Sequence, residues 1–541
     1  MAVGFRAAEK AISNQIQKEC VAPNRRRRPM NTQQEAVRIL FINPPLSQVR
    51  GNVSTNLKFP LGFLYLATPL ERDGFGVKIL DAPLHYRTVT RVDDTTVRIG
   101  MTFEQIAEEI RSFAPRIIGV SCAFTMCEAD SFAAIDFIKQ RFPSVLLVVG
   151  GAHTSANPGY VLRNRNIDLA VIGEGELTML EIARRFRSGQ ALQDIRGTAL
   201  VSDGQVRTNE PRDYMANLDE YGASWHLLDM AQYFAHPYNS NATMRRNAVD
   251  LVTSRGCPGR CVFCSIHTVW GRKWRPRTPG NVVDEMEMLC RQYGARQFRI
   301  QDDNLTLDKR RIMEICDEII RRKLDIRWDT PNGIALWTLN EDVLKKMRQA
   351  GCYRVTFGIE SACARTQQYI GKIVDLQRIR DAVECCHRIG LWVCGTFIIG
   401  FPHETLEEIR ETERFILKSG FNFPFLYVAQ PMQGTRLYED FKAHNLLPDN
   451  FRQMSSVGQT RYDTLHFKWY ELNSLLQGIL LKFYAYKTLS YLNPVRLYRE
   501  FVSKIRSWED CAYVLRMAAE IWKVVLVRKF SERHAVDQAG E

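Results

Sequence analysis

Much is missing from this chain, and each absence narrows what it can be. No uninterrupted apolar run in its 541 residues reaches the roughly 18 that a membrane-spanning helix needs, so no such helix is expected. No secretory signal opens it, and its 14 cysteines fall mostly at non-repeating spacings. A disulfide framework is therefore not expected, and a reducing, cytoplasmic setting is. No G-x-G-x-x-G follows the first apolar run, which argues against a dinucleotide. The net charge of +13 suits nucleic acid, an anionic membrane surface or an anionic substrate. No nucleic-acid motif accompanies it, so no nucleic-acid partner is expected. Part of the charge is the run Arg25 to Arg28, and charge runs in polar tails are ordinarily solvated.

What is present is an ordinary globular composition, 45% hydrophobic and 25% charged, with room for about three domains. The organising stretch is Ser254-Arg255-Gly256-Cys257-Pro258-Gly259-Arg260-Cys261-Val262-Phe263-Cys264. Three cysteines spaced C-x3-C-x2-C in a tight loop bring three thiolates to one place. Gly256, Pro258 and Gly259 supply the turn this requires. Converging thiolates in a chain without an export signal indicate a soft metal centre. On a [4Fe–4S] cluster, which four cysteines usually hold, three ligands leave one iron open to a small molecule. The same residues with His267 would also make a Cys3His zinc site.

The chain divides by pattern. Residues 1–34 read as a flexible tail and 35–195 as an alternation of strands and helices. A connector spans 196–245, a second alternation 246–445, and a helical region 446–541. In the first alternation, strands are expected at Val37 to Ile42, Val77 to Asp81, Ile117 to Ala123, Val145 to Val149 and Leu169 to Ile172. Five strands separated by helices imply a doubly wound parallel sheet, Rossmann- or flavodoxin-like, with ligands at the carboxyl ends of the strands. The loops there hold Pro44, Ser121, Gly150, Gly151, His153, Gly173, Glu174, Gly175 and Glu176. In the connector, Asp203-Gly204 reads as a hairpin turn. The second alternation offers six strands, near Leu251, Phe298, Ile326, Arg354, Trp392 and Phe425. Six β/α units imply a partial (β/α)6 barrel of the TIM type, with chemistry at the carboxyl ends of its strands. The cysteine loop follows the first of these. Asp302 and Asp303 follow the second, Glu360 and Ser361 the fourth, and Gly400 the fifth. Each polar residue has an ordinary cap or turn role as its alternative. Adjacent carboxylates after a buried strand repel unless a cation neutralises one, which sets Asp302 and Asp303 apart.

With an aromatic residue, Phe263, before its last cysteine, the loop resembles the signature of radical S-adenosylmethionine (SAM) enzymes. The resemblance implies that Cys257, Cys261 and Cys264 hold a [4Fe–4S] cluster whose open iron binds SAM. It implies methionine contacts from Asp302 and Asp303, ribose or carboxylate contacts from Glu360 and Ser361, and an adenine contact at Gly400. The first half resembles the cobalamin-binding domain that precedes one class of these enzymes, through Asn43-Pro44-Pro45, Pro60-Leu61-Gly62, Gly150-Gly151-Ala152-His153 and Gly173-Glu174-Gly175-Glu176. It departs from the D-x-H-x-x-G pattern, reading Asp81-Ala82-Pro83-Leu84-His85-Tyr86, which implies no histidine on cobalt. Ile300 to Asn304, Ala335 to Trp337 and Phe357 to Ser361 most resemble the C-methyltransferases of phosphonate antibiotic biosynthesis.

The function so implied is methyl transfer from SAM, by way of methylcobalamin and a 5′-deoxyadenosyl radical, to an unactivated carbon of a small secondary metabolite. A flavodoxin- or ferredoxin-type donor supplies electrons. The family also contains P-methyltransferases and ring-forming enzymes. Two other classes are a zinc-stabilised nucleic-acid binder and a cobalamin-binding regulator without catalysis. In the tail, Ala512 to Val527 places Arg516, Glu520 and Lys523 on one stripe and leaves a broad apolar face. That face suits packing on the barrel, or peripheral contact with a membrane surface.

Overall fold

Apolar runs stopped by glycine or proline become the strands of two sheets in the computed structural model, which describes residues 37–50, 57–239, 243–447 and 462–519. The first sheet holds β1 (Arg38–Asn43), β2 (Gly76–Asp81), β3 (Ile117–Ser121), β4 (Leu146–Gly150) and β5 (Leu169–Val171), parallel and in the order β2-β1-β3-β4-β5. Alternation along β1 shows why both faces are covered. Ile39 and Phe41 enter one core with Phe63 and Leu64, and Leu40 and Ile42 enter the other with Ile106 and Ile135. From β1 the chain goes to β2 on one side and then crosses to β3 on the other, so a crevice opens at the carboxyl ends of β1 and β3.

The Asp203-Gly204 hairpin is not part of a free connector. Its strands, β6 (Thr198–Ser202) and β7 (Gln205–Thr208), extend the sheet antiparallel beyond β5. The chain between the two sheets runs over 209–247. Its buried Trp225 donates to Glu285 at 2.7 Å, and its buried Tyr233 binds Asp81, so its aromatics pack between the sheets.

The second sheet runs consecutively and parallel through β8 (Ala248–Leu251), β9 (Gln297–Ile300), β10 (Arg327–Ile334), β11 (Cys352–Glu360), β12 (Trp392–Ile399) and β13 (Phe423–Val428). The helices between them start on polar caps. Thr278, Asp308, Asn340, Asp375 and Thr405 each accept first-turn amides, a device worth about 1 kcal/mol apiece.

The later part of the helical region covers the barrel at the amino ends of its strands, while Leu465 and Leu472 reach the turn after β12. Tyr513 and Met517 are buried against Tyr353 and Trp392, where β11 and β12 begin. Lys504 Nζ donates to Asn422 Oδ1 at 2.7 Å, and Lys487 pairs with Glu500 at 2.6 Å. The barrel thus takes the apolar face of this stretch as far as residue 519. Glu520 and Lys523 lie outside the described residues, as does the tail 1–34. Among the described residues no helix is long and apolar enough to cross a membrane.

Candidate functional site

Beyond β8 the chain forms a clasp, Ser254–Arg255 paired antiparallel with Arg275–Pro276, which ties off the loop between them. At its neck Gly256 has φ +84°, and a Cβ there would stand 2.4 Å from the Lys273 carbonyl oxygen, so only glycine fits. Inside, a Cβ on Gly259 would lie 3.4 Å from Cys257 Sγ and 3.9 Å from Cys261 Sγ, so both thiols border one small space. Cys264 faces the same space. Burial pushes its thiol up to about 11, and Cys261, Asp303 and Cys257 push the same way. The loop is anchored by backbone bonds, from the Val262 amide to the Ile370 carbonyl at 3.1 Å and from the Leu437 amide to the Val262 carbonyl at 3.0 Å. Phe263 packs against Phe401, ring centroids 6.4 Å apart.

Iron requires thiolates, which burial disfavours. Lys372 offsets part of this. Its cation lowers the Cys261 thiol while burial raises it. His267 directs Nδ1 to the Cys264 carbonyl at 3.1 Å. Among the described residues no three His, Cys, Asp or Glu side chains close on the position of a single ion. Three thiols around one space fit a cluster, where each would hold a different iron.

The two aspartates after β9 have separate roles. Asp302 is consumed by the fold, accepting from the Thr253 amide and hydroxyl at 2.6 Å each and from the Ser254 hydroxyl at 2.5 Å. Asp303 has a buried oxygen, Oδ2, with no partner. Burial and the Asp302 charge push its carboxyl up to about 7. An orphaned carboxylate oxygen beside the thiols fits the ammonium of SAM.

At the end of β11 a register shift between Gly358 and Glu360, with φ +70° at Glu360, re-aims that side chain. Its carboxylate takes Lys372 Nζ at 2.8 Å and Thr396 Oγ1 at 3.3 Å. Ser361 is buried in a turn. Its hydroxyl meets Thr412 Oγ1 at 3.1 Å and accepts the Cys363 amide at 3.1 Å. Gly400, φ +82°, donates its amide to Glu404 at 2.6 Å, and a Cβ there would press on Leu472 and Val428 at 3.0 Å. Burial lifts the Glu404 carboxyl to about 8. Both residues therefore shape the turn after β12.

Along the first sheet the carboxyl-end residues form a bare edge. Pro44 is buried at the end of β1, and the Ser121 carbonyl accepts from Ser131 at 3.0 Å. The Gly150 carbonyl accepts the Cys122 amide at 2.8 Å. At Gly151, φ +121°, a Cβ would stand 2.6 Å from the Cys122 carbonyl oxygen. Gly173 donates its amide to Ser155 at 2.9 Å, and a Cβ at Gly175 would strike Leu66 at 2.8 Å. Phe124 and Met126 stand 60% and 46% exposed beside this edge. Glycines with exposed apolar side chains fit a broad ring laid against backbone.

Three side chains expected at the cofactor are occupied elsewhere. His153 is buried with both nitrogens engaged, Nδ1 to Thr125 at 3.0 Å and Nε2 to Glu128 at 2.7 Å. Glu174 and Glu176 pair with arginines of the clasp. Bound cob(II)alamin is therefore expected to show no nitrogen splitting in its electron paramagnetic resonance spectrum. A nitrogen splitting that His153→Ala removes would contradict this.

Lys372, Phe124 and Met126 carry no local sequence signal, whereas Thr396 stands within the fifth barrel strand among its candidate polar groups. Lys372 follows a helix-ending Gly371, and nothing in that dipeptide marks it as facing the thiols.

Residues 48–183 match the B12 binding domain family, and residues 251–416 match the Radical SAM superfamily. An uncharacterised methyltransferase of Pyrococcus horikoshii is 34% identical over 453 residues, 83% of this chain and 93% of the relative. The cytidylyl-2-hydroxyethylphosphonate methyltransferase of Streptomyces wedmorensis is 30% identical over 438 residues, 74% of this chain and 81% of the relative. The radical SAM methyltransferase TsrM from Kitasatospora setae, solved with cobalamin and a [4Fe–4S] cluster, shares the fold. Its TM-score is 0.61 at 18% identity, over 76% of this chain and 75% of that one.

Proposed function

The chain belongs to the cobalamin-dependent radical SAM methyltransferases, and we propose that it transfers the methyl group of SAM to an unactivated carbon of a small secondary metabolite. The observation that carries this is the meeting of two loops. A Cβ on Gly173, at the bare sheet edge, would stand 3.5 Å from the carbonyl oxygen of Val269, in the short helix His267–Trp270 of the cysteine loop. A group on that edge and a group on the thiols would border one space.

When bound, the cluster supplies the electron that opens SAM to a 5′-deoxyadenosyl radical, and cobalamin supplies the transferred methyl group. The chain binds, orients and shields. Cys257, Cys261 and Cys264 hold the cluster and leave one corner open. Asp303 takes the SAM ammonium, and Glu360, braced by Lys372 and Thr396, faces its ribose or carboxylate. Pro44, Ser121, Gly150, Gly151 and Gly173 would line the place of the corrin, with Phe124 and Met126 beside it. The pairing of cofactors supports an unactivated carbon as acceptor. Such a carbon has no acidic proton, so no base can prepare it for SAM as an ordinary electrophile. The phosphonate in the Streptomyces relative's name supports a small, secondary-metabolite substrate. A small flavodoxin- or ferredoxin-type donor in a reducing cytoplasm suits the half-buried, unbridged thiols.

Deuteromethyl-SAM tests the reading. Label is expected on the bound cobalamin and then on the product, as a three-deuterium mass shift. Product carrying label while the cobalamin stays unlabelled would overturn it.

A further inference from the structure

Four buried charges join the two halves at the root of the cysteine loop. Arg255 and Arg275 stand directly opposite one another in the clasp, so their side chains share a face. Two guanidinium groups so placed repel, and Glu174 lies between them. Its Oε1 meets Arg255 Nη1 at 3.0 Å and its Oε2 meets Arg275 Nη1 at 2.9 Å. Glu176 Oε1 meets Arg255 Nη2 at 2.7 Å. Every one of these side chains is about 5–6% exposed.

The surrounding groups fix the angles. The Met215 amide donates to Glu174 Oε2 at 2.9 Å, and Arg275 donates to the carbonyls of Met215 at 2.8 Å and Trp270 at 3.1 Å. Arg255 lies over the Tyr65 ring at 5.0 Å, and Arg275 over Tyr214 at 4.9 Å. A planar fork held on several sides has little freedom left.

We infer that Glu174, Glu176, Arg255 and Arg275 form a positioning latch that fixes the distance between the bare sheet edge and the cysteine loop. The inference rests on the proposal that this edge carries cobalamin and this loop the cluster. Its two ends lie at the points that matter. Glu174 directly follows Gly173 of the sheet edge, and Arg255 stands two residues before Cys257. Stability alone gives no reason for the arrangement. Desolvating four charges offsets most of what their attraction returns, and apolar side chains of the same volume would hold the halves together as well. What charges add is direction, since a carboxylate between two forks accepts one geometry. A radical at one cofactor and a methyl group at the other need such a fixed separation, because misplacement by about 1 Å costs orders of magnitude in rate.

The test reads distance and needs no substrate. In full-length protein loaded with cob(II)alamin and the reduced cluster, both centres are paramagnetic, and pulsed electron paramagnetic resonance reports the distribution of distances between them. The wild type is expected to give one narrow distribution. Arg275→Lys keeps the charge and loses the fork, and Glu174→Gln keeps the shape and loses the charge. Each is expected to broaden the distribution about twofold while the separate spectra of the two centres stay unchanged. If Glu174→Gln fails to take up both cofactors, Arg275→Lys decides alone. Variant distributions that superimpose on the wild type overturn the latch. A wild type lacking either signal overturns the cofactor assignment instead.

Discussion

With Cys257, Cys261 and Cys264 all replaced by alanine, the protein is expected to fold and take up cobalamin yet release no 5′-deoxyadenosine from SAM. Folding survives because backbone, not sulfur, holds the loop. The clasp closes its neck, and the Val262 amide and carbonyl tie its middle to Ile370 and Leu437. Cobalamin uptake survives because the bare edge of the first sheet contributes no thiol ligand to that loop. SAM cleavage is lost outright, since each sulfur would hold a separate iron. His267 spends Nδ1 on the Cys264 carbonyl. Mass spectrometry of the reaction, with iron and cobalt contents of the same sample, checks this. Deoxyadenosine from the triple variant would show that the cluster lies elsewhere.

Asp302 and Asp303 are expected to fail in opposite ways. Asp302→Asn replaces an acceptor of three short hydrogen bonds with a group that must turn an NH2 toward one of the donors. Stability falls by about 2–4 kcal/mol, read from denaturant unfolding, because charge-assisted bonds are lost and a buried donor is left unpaired. Asp303→Asn costs the fold little, since its Oδ2 has no protein partner to lose. Burial and the Asp302 charge already hold that carboxyl near 7, so the folded apo protein gains by losing the charge. Its affinity for SAM, measured by calorimetry, falls about 10- to 100-fold, the worth of a charge-assisted bond. Equal loss of stability in both variants, with SAM affinity intact, would refute this division.

Sequence patterning revealed both sheets because their strands are continuous apolar runs stopped by glycine, proline or a polar loop, as at Asn43-Pro44-Pro45 and Gly150-Gly151. The cysteine loop was legible for a similar reason, since its spacing and turn residues are local. What escaped was non-local. Glu174 and Glu176 stand in a glycine-rich loop at a strand end, where a cofactor contact is the natural expectation. Their partners Arg255 and Arg275 lie 81 and 101 positions from Glu174, and nothing nearby reveals them. The partners of His153 are likewise non-local, since Thr125 and Glu128 reach it only once β3 and β4 pair. The Asp203-Gly204 turn was visible, but attachment of its hairpin to β5 depends on a sheet edge that local sequence does not describe. Lys372 shows the limit most plainly. A lone lysine after a helix-ending glycine becomes a half-buried cation beside Glu360 and Cys261 only through the tertiary fold.

The two halves of the chain serve one radical methylation. Counting the two products of SAM on the true substrate tests it most directly. 5′-Deoxyadenosine and S-adenosylhomocysteine are expected in roughly equal amounts, one of each per methylated product. Deoxyadenosine formed with product but without S-adenosylhomocysteine would contradict methyl transfer.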